Sequence, residues 1–532
     1  MKTVGRICLA MMLLTTQPVA AEPAADDRAS LHWIRQEVEI AGALDNLSRL
    51  AVSAPVVFTH VAIVDPESGG TLADQTVAVR DGKIAWTGDA SAAPDMTGFT
   101  AIDGRGLVLS PGLVDMHVHT MSLAEQLLRL ATGTTAVREM DGFPWMLELR
   151  RAIIGGTLLA PTAYIAGTII TSYPLDGYSV VVHTPEEARA TVRSEAVCGY
   201  DFIKVHNILK LPLFDAVADE ARRAGLDLVG HIPHDITIDH AVHAGGMRTL
   251  EHLKGFINDG TLIVSGEDYA KAVAGADVWL TPTFYTMTGT HRAVDAQNLL
   301  ALPEMSYVPL RKRRSWAGPV DAHDLKGQAL IDVAIPAAMA RLLPLHPHWL
   351  AGTDAAQYPL QVAGYALLDE LIDMEQFGIP RADVLRAATT EPAAALHRPG
   401  EFGRIATGMR ADLILLRADP TRDLRAYRNN LGVMVRGHWL SRAALDAALA
   451  RLAQIQAEPD EAFAVNGRSA DALVADLQKL AGRHIALDAM HLEAASASLA
   501  RLGYKRDATQ LEGIMTALQA GACHEITPPG GG

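Results

Sequence analysis

The feature that most constrains the fold is a series of short apolar runs, each followed by a helix-like stretch, between residues 107 and 400. Such alternation is typical of βα units and a parallel sheet. The eight runs are "LVLSPGLVDMHVH", "TTAVREM", "TAYIAGTII", "DFIKVH", "DLVGHI", "TLEHL", "VWLTPTF" and "HWLAGTDA". Eight strand-then-helix repeats predict an α/β fold of the (β/α)8 TIM-barrel type. A doubly wound sheet is the alternative, but no GxGxxG pattern follows the first run.

The two flanks of this series carry short β-branched runs separated by turn residues, as in "TVAVRDGKIAWTGDA" and "GVMVRGHWL". These runs predict antiparallel strands. We therefore expect a small β-sandwich domain that combines residues 22–106 with residues 401–440, around a barrel formed by residues 107–400. Ala-rich segments with helical spacing follow, so residues 441–532 are predicted to form a helical extension with a loose tail.

The N-terminus has the pattern of a secretory signal. Lys2 and Arg6 precede a short apolar core, and small residues end at Ala21. The sequence predicts a signal peptide over residues 1–21 and a periplasmic or secreted bacterial protein. A membrane anchor is less favoured because the apolar core is well short of about 20 residues. No membrane span is expected after signal removal.

The net charge of −15 argues against a nucleic-acid partner, which would normally need a basic stripe. The basic cluster "RKRRSW" at 311–316 is better interpreted as a solvated helix face. Beyond the signal, the cysteines are Cys198 and Cys523. Export permits a disulfide, but their distance in sequence does not imply one.

Potential metal ligands stand at the ends of five of the eight runs, where the active sites of such barrels lie. Residues two apart in a strand point to the same face, so the two histidines of the first run can hold one ion together. A single histidine among the 20 in the chain is more often a surface or core residue. The whole set predicts a catalytic metal site of the zinc type: His117, His119, Lys204, His231, His252 and Asp354.

Lys204 is the member that does not fit a simple metal site. A protonated ammonium is repelled by cations and has no lone pair to donate. Its pKa would have to fall through burial. An alternative is a lysine that anchors a substrate carboxylate or a helix end.

The motifs "PGLVDMHVH", "GHIPH", "EHL" and "AGTDA" stand in an order that resembles the amidohydrolase superfamily, over roughly residues 55–440. These are metal-dependent hydrolases of the imidazolonepropionase, dihydroorotase and Xaa-Pro dipeptidase type. The resemblance implies that Lys204 is carboxylated by carbon dioxide, and that the anionic carbamate bridges two divalent metal ions.

The resemblance further implies that His117, His119 and Asp354 hold the first ion and that His231 and His252 hold the second. Zinc is the favoured metal, although manganese, iron or cobalt suit the same ligands. A bridging hydroxide would attack the substrate carbonyl, and Asp354 would pass the proton to the leaving amine. Relatives of this kind also imply homo-oligomers.

Further side chains near the strand ends are weaker candidates. His234 competes with His231, and only parity along "DLVGH" favours His231. His206 shares a strand face with Lys204 and would either line the pocket or pack. Arg138, Glu139 and Tyr285 are candidate substrate contacts.

The leading hypothesis is a binuclear amidohydrolase that cleaves an amide or peptide-like C–N bond of a small molecule, with a dipeptide or N-acyl amino acid favoured. A mononuclear deaminase or cyclic C–N hydrolase is the main alternative, and Lys204 discriminates against it because such enzymes generally lack the bridging lysine. A lactonase or organophosphate-type esterase uses the same nucleophile. The non-enzyme alternative is an inactive barrel scaffold, since fold alone does not imply function.

Overall fold

The computed structural model describes most of the chain. The described residues are 27–53, 55–175, 179–253, 256–258, 261–262, 272–273, 276–289, 296–318, 322–355, 359–459 and 467–524. The predicted signal peptide and the end of the predicted tail lie outside these residues.

The N-terminal flank begins with a long helix, α1 (Asp27–Leu50), and continues as a set of strands. β1 pairs with β2 antiparallel and with β4 and β5 in parallel. β2 and β3 form a hairpin. The strands are β1 (Val56–Asp65), β2 (Gly70–Arg80), β3 (Lys83–Asp89), β4 (Thr100–Asp103) and β5 (Val108–Pro111).

A strand lies at each of the eight predicted runs, and neighbours along the series pair in parallel. A bridge between Ala166 and Phe202 links the third run to the fourth, and one between Val118 and Ala355 links the first to the eighth. The strands are β6 (Leu113–Val118), β7 (Thr134–Glu139), β8 (Thr162–Ile165), β9 (Ile170–Thr171), β10 (Val180–Val181), β11 (Phe202–Val205), β12 (Asp227–Gly230), β13 (Met247–Glu251), the hairpin β14 (Ile257–Asn258) and β15 (Thr261–Leu262), β16 (Trp279–Thr281) and β17 (His348–Trp349).

The first run differs from its prediction as a single strand. It divides at Gly112 into β5, which pairs within the flank sheet, and β6, which starts the parallel series. Gly112 allows the close approach of β7, because a Cβ atom there would lie 2.1 Å from Thr135 Oγ1. The strand that leads to the two histidines therefore begins at Leu113 and not at the start of the apolar run.

Helices follow the strands and end where the sequence supplies caps. Ser122 caps the N-terminus of α2, and Gly133 ends it in the left-handed conformation with φ 94°. Gly199 and Gly225 end α4 and α5 in the same way. The helices are α2 (Leu123–Thr132), α3 (Pro144–Ile154), α4 (Pro185–Cys198), α5 (Leu211–Ala224), α6 (Phe284–Met287), α7 (Ala296–Leu300), α8 (Leu310–Trp316), α9 (Ala322–Leu342), α10 (Tyr365–Gln376), α11 (Arg381–Ala387) and α12 (Thr390–Ala395).

The C-terminal flank returns to the sheet of the N-terminal flank. β18 (Leu413–Leu416), β19 (Asn430–Val435) and β20 (His438–Ser441) complete one hydrogen-bonded sheet with the order β20-β19-β18-β5-β1-β2-β3, in which β4 pairs with β1. Strands from both ends of the chain thus share this one sheet, within which Val56, Phe58, Leu413 and Met434 are buried.

Helices after residue 441 pack against α1 and against the helices that follow the first two strands of the series. They are α13 (Arg442–Gln456), α14 (Gly467–Ala481), α15 (Ala489–Arg501) and α16 (Lys505–His524). Arg483 forms a two-pronged ion pair with Asp45 of α1 at 2.6 and 2.7 Å. His484 Nδ1 lies 2.8 Å from Glu148 Oε2 of α3. The two chain ends therefore form one helical layer over α2 and α3.

Two further features bear on the cellular compartment of the protein: a disulfide bond and an apolar helix. Cys198, at the end of α4, is disulfide-bonded. Within the described part of the chain, Gln328–Leu345 is long and apolar enough to cross a bilayer by length and composition alone. Core helices of soluble proteins meet the same criterion, and this segment contacts the β14–β15 hairpin. The expectation of no membrane span in the mature protein stays a prediction.

Candidate metal centre

Two of the predicted ligands, His117 and His119, converge on one carboxylate oxygen of a third, Asp354. Asp354 Oδ1 lies 3.0 Å from His119 Nε2 and 3.3 Å from His117 Nε2. One ligand atom each from His117, His252 and Asp354 lies within 4.8 Å of the others. The residues come from the C-terminal ends of the first, sixth and eighth strands of the series, where active sites of parallel α/β folds lie.

The imidazole rings form a continuous arc along this edge. The His117 ring lies 4.4 Å from that of His252, and the His252 ring lies 4.7 Å from that of His231. The His206 ring lies 4.4 Å from that of His231, with the two ring planes tilted by 43°. The structure therefore brings together all the predicted histidines, and His206 extends the arc beyond them.

Lys204 lies on β11 and is fully buried. Burial lowers its pKa to about 8, and the positive charge of Arg138 acts in the same direction. Gly230, with φ 125°, gives the lysine room, because a Cβ atom there would lie 3.0 Å from Lys204 Cδ. The amine is thus held in a low-dielectric position where its neutral form is favoured.

Glu251 orients His117 from below. His117 Nδ1 lies 2.8 Å from Glu251 Oε2, and Arg138 Nη2 donates to Glu251 Oε1 at 2.8 Å. Burial alone would raise the pKa of Glu251, but the charge of Arg138 and the hydrogen bond to His117 hold it below its usual range. This contact fixes the imidazole so that Nε2 faces Asp354.

Arg138 is therefore not the substrate contact that the sequence suggested. Its side chain is fully buried. It donates from Nε to the Met116 carbonyl at 2.7 Å and from Nη1 to Thr249 Oγ1 at 2.9 Å. The strand parity that points it inward places it below the histidines, where it neutralises Glu251.

His252 is oriented by Thr283, whose Oγ1 lies 2.7 Å from His252 Nδ1. His252, Thr283 and Asp354 all have left-handed backbone, with φ values of 59°, 50° and 58°. Non-glycine residues pay a conformational cost there, and such strain clusters at functional sites. Because the backbone turns at His252, the side chains of two consecutive residues, Glu251 and His252, both reach His117.

The first and eighth strands are tied together directly beside the ligands. Asp354 N donates to the His117 carbonyl at 2.7 Å, and Thr353 Oγ1 donates to Asp115 Oδ2 at 2.8 Å. Gly352 permits this approach, because a Cβ atom there would lie 2.9 Å from His117 Cβ. These bonds set the spacing between the His117–His119 pair and Asp354.

The donor atoms fit a divalent cation. His117 Nε2 is buried and has no hydrogen bond among the described residues, although a buried nitrogen of this kind needs a partner. Burial lowers the pKa of His117 and of His252, so their neutral, metal-binding forms are favoured. The pKa of Asp354 lies well below its ordinary value, because the neighbouring histidines outweigh the effect of burial.

The other predicted substrate contacts are held by hydrogen bonds within the protein. Tyr285 is buried, and its hydroxyl donates to the Leu360 carbonyl at 3.0 Å. Glu139 accepts from the Thr120 amide at 2.9 Å. His234 is exposed and lies 2.8 Å from the side-chain amide of Asn207, while His231 occupies the arc. The structure thus favours His231 over His234.

Sequence reasoning missed Glu37 of α1. Leu123 N donates to Glu37 Oε2 at 2.7 Å, and the Ser122 hydroxyl donates to Glu37 Oε1. Both donors lie in the segment that leads from His119 into α2. Burial raises the pKa of Glu37 to about 7. Through these two hydrogen bonds, Glu37 of the helical layer holds the loop that follows His119.

A family model and known proteins match much of this chain. A family model described as the amidohydrolase family matches residues 108–440. The imidazolonepropionase of Mycolicibacterium smegmatis is 24% identical over 408 residues, or 72% of this chain and 93% of that relative.

Two solved structures resemble the fold. A bottromycin amidohydrolase superposes with a TM-score of 0.66 at 23% identity, over 81% of this chain and 98% of its own. A Xaa-Pro dipeptidase with bound methionine in the active site gives a TM-score of 0.56 at 21% identity, over 73% of this chain and 100% of its own. At these identities the likeness shows a shared TIM-like α/β fold.

Proposed function

The chain belongs to the amidohydrolase family, and from this premise we propose that it is a binuclear metallohydrolase that cleaves the amide bond of a dipeptide or an N-acyl amino acid. Hydrolysis of a carbon–nitrogen bond is the activity that the family and its relatives support. The observation that carries the proposal is the convergence of His117, His119 and His252 on Asp354.

In this proposal His117, His119 and Asp354 hold one ion, His231 and His252 hold another, and Lys204 lies between the two groups. Two divalent ions, when bound, would lower the pKa of a coordinated water and polarise the scissile carbonyl. Zinc suits these ligands, as do manganese, iron and cobalt.

Asp354 is proposed to move the proton of the reaction. An ionised Asp354 would accept a proton from the attacking water and return it to the leaving amine. The hydrogen bond from Asp354 N to the His117 carbonyl holds the carboxylate in register with the two histidines.

Lys204 is proposed to react with carbon dioxide. Its pKa of about 8 leaves part of the amine neutral near physiological pH, and a neutral Nζ can attack carbon dioxide. The N–C bond forms, one proton is released and an anionic carbamate with two oxygens results. That anion would offset the positive charge of two ions, which an ammonium cannot do.

A second candidate is hydrolysis of a cyclic C–N bond, which the imidazolonepropionase relative favours. Metal content and substrate preference separate the two. We expect close to two ions per chain in the wild type and about one in Lys204→Ala, measured by elemental analysis, together with hydrolysis of dipeptides or N-acyl amino acids. One ion in both proteins, with cyclic substrates preferred, would replace the dipeptidase proposal.

We also propose that the eight strands close into a barrel. The hydrogen bonds from Met116 N to the Ala351 carbonyl and from His119 N to the Ala355 carbonyl, at 2.8 and 2.7 Å, support closure between the first and eighth strands.

Export through the predicted signal peptide completes the proposal. The disulfide of Cys198 supports it, because disulfides persist in oxidising compartments. Fractionation of cells that express the full chain tests it. Cleavage at about residue 21 and recovery in the periplasm or medium is expected, whereas an uncleaved cytoplasmic protein would contradict it.

A further inference from the structure

Beside the metal centre lies a second group of buried acids that the proposed mechanism does not use. Asp141 follows β7 at the edge where His119 follows β6. Glu195 reaches the same region from α4. The side chains of Asp141 and Glu195 are only 4% and 6% exposed.

These carboxylates have fewer partners than buried acids usually have. Among the described residues, Asp141 Oδ1 and both carboxylate oxygens of Glu195 form no well-aligned hydrogen bond, and only the backbone amides of Ile169 and Thr168 approach Asp141 and Glu195 closely enough to lower the pKa of each carboxyl. Buried carboxylates are normally paired with a cation or fully hydrogen-bonded. The pair is therefore matched to a positive group from outside the chain.

Glu195 can occupy its position because residue 167 is a glycine and has no side chain. A Cβ atom at Gly167 would lie 2.0 Å from Glu195 Oε2. Glycine thus lets the carboxylate reach from the helical layer to the loop after β8. Repulsion between Asp141 and Glu195 adds to the effect of burial and raises the pKa of Glu195 well above its ordinary value. A cation would relieve this repulsion.

Burial raises the pKa of Asp141 to about 7, and Asp141 is close enough to the metal centre for the charges of His119 and Lys204 to oppose that rise. In a dipeptide, the free amino group lies one carbon away from the scissile carbonyl. A protonated amino group at that distance from two divalent ions is repelled by them. A carboxylate next to the centre would offset this repulsion.

We propose that Asp141, backed by Glu195, forms a subsite for the protonated amino terminus of the substrate, so that the enzyme takes dipeptides in preference to N-acylated compounds. This inference rests on the proposed amide hydrolysis and narrows its substrate class. Asp141 contacts the ammonium, whose positive charge would in turn favour the ionised form of Glu195 behind Asp141.

The test compares one peptide with and without its charge. L-alanyl-L-leucine and N-acetyl-L-alanyl-L-leucine share the bond to be cleaved and differ in the ammonium. For a charge-assisted hydrogen bond we expect kcat/KM to favour the free peptide by about 10- to 100-fold in the wild type. Asp141→Asn should reduce that ratio to near one by slowing the free peptide alone, and Glu195→Gln should reduce it partly.

Glu220→Gln is the matched control. Glu220 is a buried carboxylate on α5, but it faces Arg189 and Arg193 away from the centre. Its removal should leave the ratio unchanged. Metal content is measured for every variant, so that loss of ions is separated from loss of the subsite. If Asp141→Asn does not fold, Glu195→Gln and the wild-type ratio decide.

Binding separates this inference from the proposed function. The affinities of L-leucinamide and N-acetyl-L-leucinamide are measured by calorimetry without turnover. Suppose that neither peptide is hydrolysed, but that the wild type binds L-leucinamide at least about 10-fold more tightly than N-acetyl-L-leucinamide and Asp141→Asn removes this difference. The subsite then stands and the dipeptidase proposal fails. Equal binding or equal hydrolysis of the free and acetylated compounds would overturn the subsite.

Discussion

The two sides of the candidate metal centre are built differently. On the first side, formed by His117, His119 and Asp354, nitrogen and oxygen atoms approach within 3.0–3.3 Å. On the second side, formed by Lys204 and His231, the His231 ring makes an edge-to-face contact with the His252 ring at 4.7 Å, and burial and neighbouring charges act on Lys204. The first side is a set of closely held donor atoms, while on the second side an imidazole and a buried amine lie beside the first.

The surrounding residues explain this difference. Glu251 and Thr353 hold the first side from within the strands, and Glu37 holds the loop behind it. Lys204 has room provided by Gly230 and is surrounded by charges. We infer that the first side is preorganised by the protein, and that the proposed ions and the proposed carboxylation of Lys204 would complete the second side.

The largest effect is expected from Asp354→Asn, which breaks the first side at its centre. The amide keeps the shape but cannot accept the proton, so kcat/KM should fall by about 10³-fold, within the range for general acid–base residues. Steady-state hydrolysis measures this loss. Asp215→Asn is the control, because Asp215 lies 2.7 Å from His240 in an exposed pair outside the site. A similar loss in both variants would contradict the assignment.

Lys204→Met should damage the second side and spare the first. Methionine fills the same buried space without charge, so metal content should drop from two ions to one. Loss of several kcal/mol of charge stabilisation corresponds to a decrease in kcat/KM of about 10²-fold or more. Lys479→Met, at an exposed lysine paired with Asp476, is the control for lysine replacement. Unchanged metal content in Lys204→Met would show that the two sides do not divide the ions in this way.

Glu251→Gln should loosen the first side without touching a ligand atom. The amide leaves the Arg138 charge unpaired and weakens the hold on His117. Metal affinity should fall by about 10- to 100-fold, and the free energy of unfolding by about 3–5 kcal/mol. Chelator competition and denaturant unfolding measure the two effects.

Glu391→Gln provides the comparison for this change. Glu391 also joins a histidine, His348, at 3.2 Å, and accepts from Trp279 at 2.7 Å, but at the opposite end of the strands. Its replacement should leave metal affinity unchanged. If both variants lose metal equally, the effect belongs to general destabilisation rather than to orientation of His117.

The smallest effect is expected from Glu37→Gln, through pH. The folded pKa of Glu37, about 7, lies above its ordinary 4.5, so the folded state binds the proton more tightly. Its contribution to stability is therefore full below pH 4.5 and falls as pH rises to about 7, by at most about 3 kcal/mol. Relative to wild type, Glu37→Gln should thus be more stable at pH 8 than at pH 5. A difference in Tm that is the same at both values would contradict this.

Much of the site could be predicted from the sequence because strand ends and ligand chemistry are local features. The pair of histidines in "DMHVH" needed only residue type and period. The role of the lysine in "DFIKVH" came from the family resemblance, because a lysine does not fit a simple metal site. The alternation of side chains along a strand would direct His252 away from the site, because Glu251 before it points inward. His252 reaches the site because its backbone is left-handed. Glu251 itself carried a usable signal, since a charge within an apolar strand requires a buried partner, and Arg138 is that partner.

Other features could not be predicted because they depend on distant parts of the chain. Glu37 acts on Ser122 across 85 residues. The division of the first run at Gly112 depends on the approach of Thr135. Both contacts exist only after the fold has formed, so neither composition nor periodicity reveals them.

The joining of the two chain ends has a consequence for biosynthesis. Asp45 meets Arg483 across 438 residues, and the flank sheet needs β18–β20 to reach its full width. The N-terminal helix therefore emerges from the ribosome long before its partners exist, and long-range contacts of this kind form slowly. The helical layer and the flank sheet can therefore be completed only after Arg483 and β18–β20 have been synthesised.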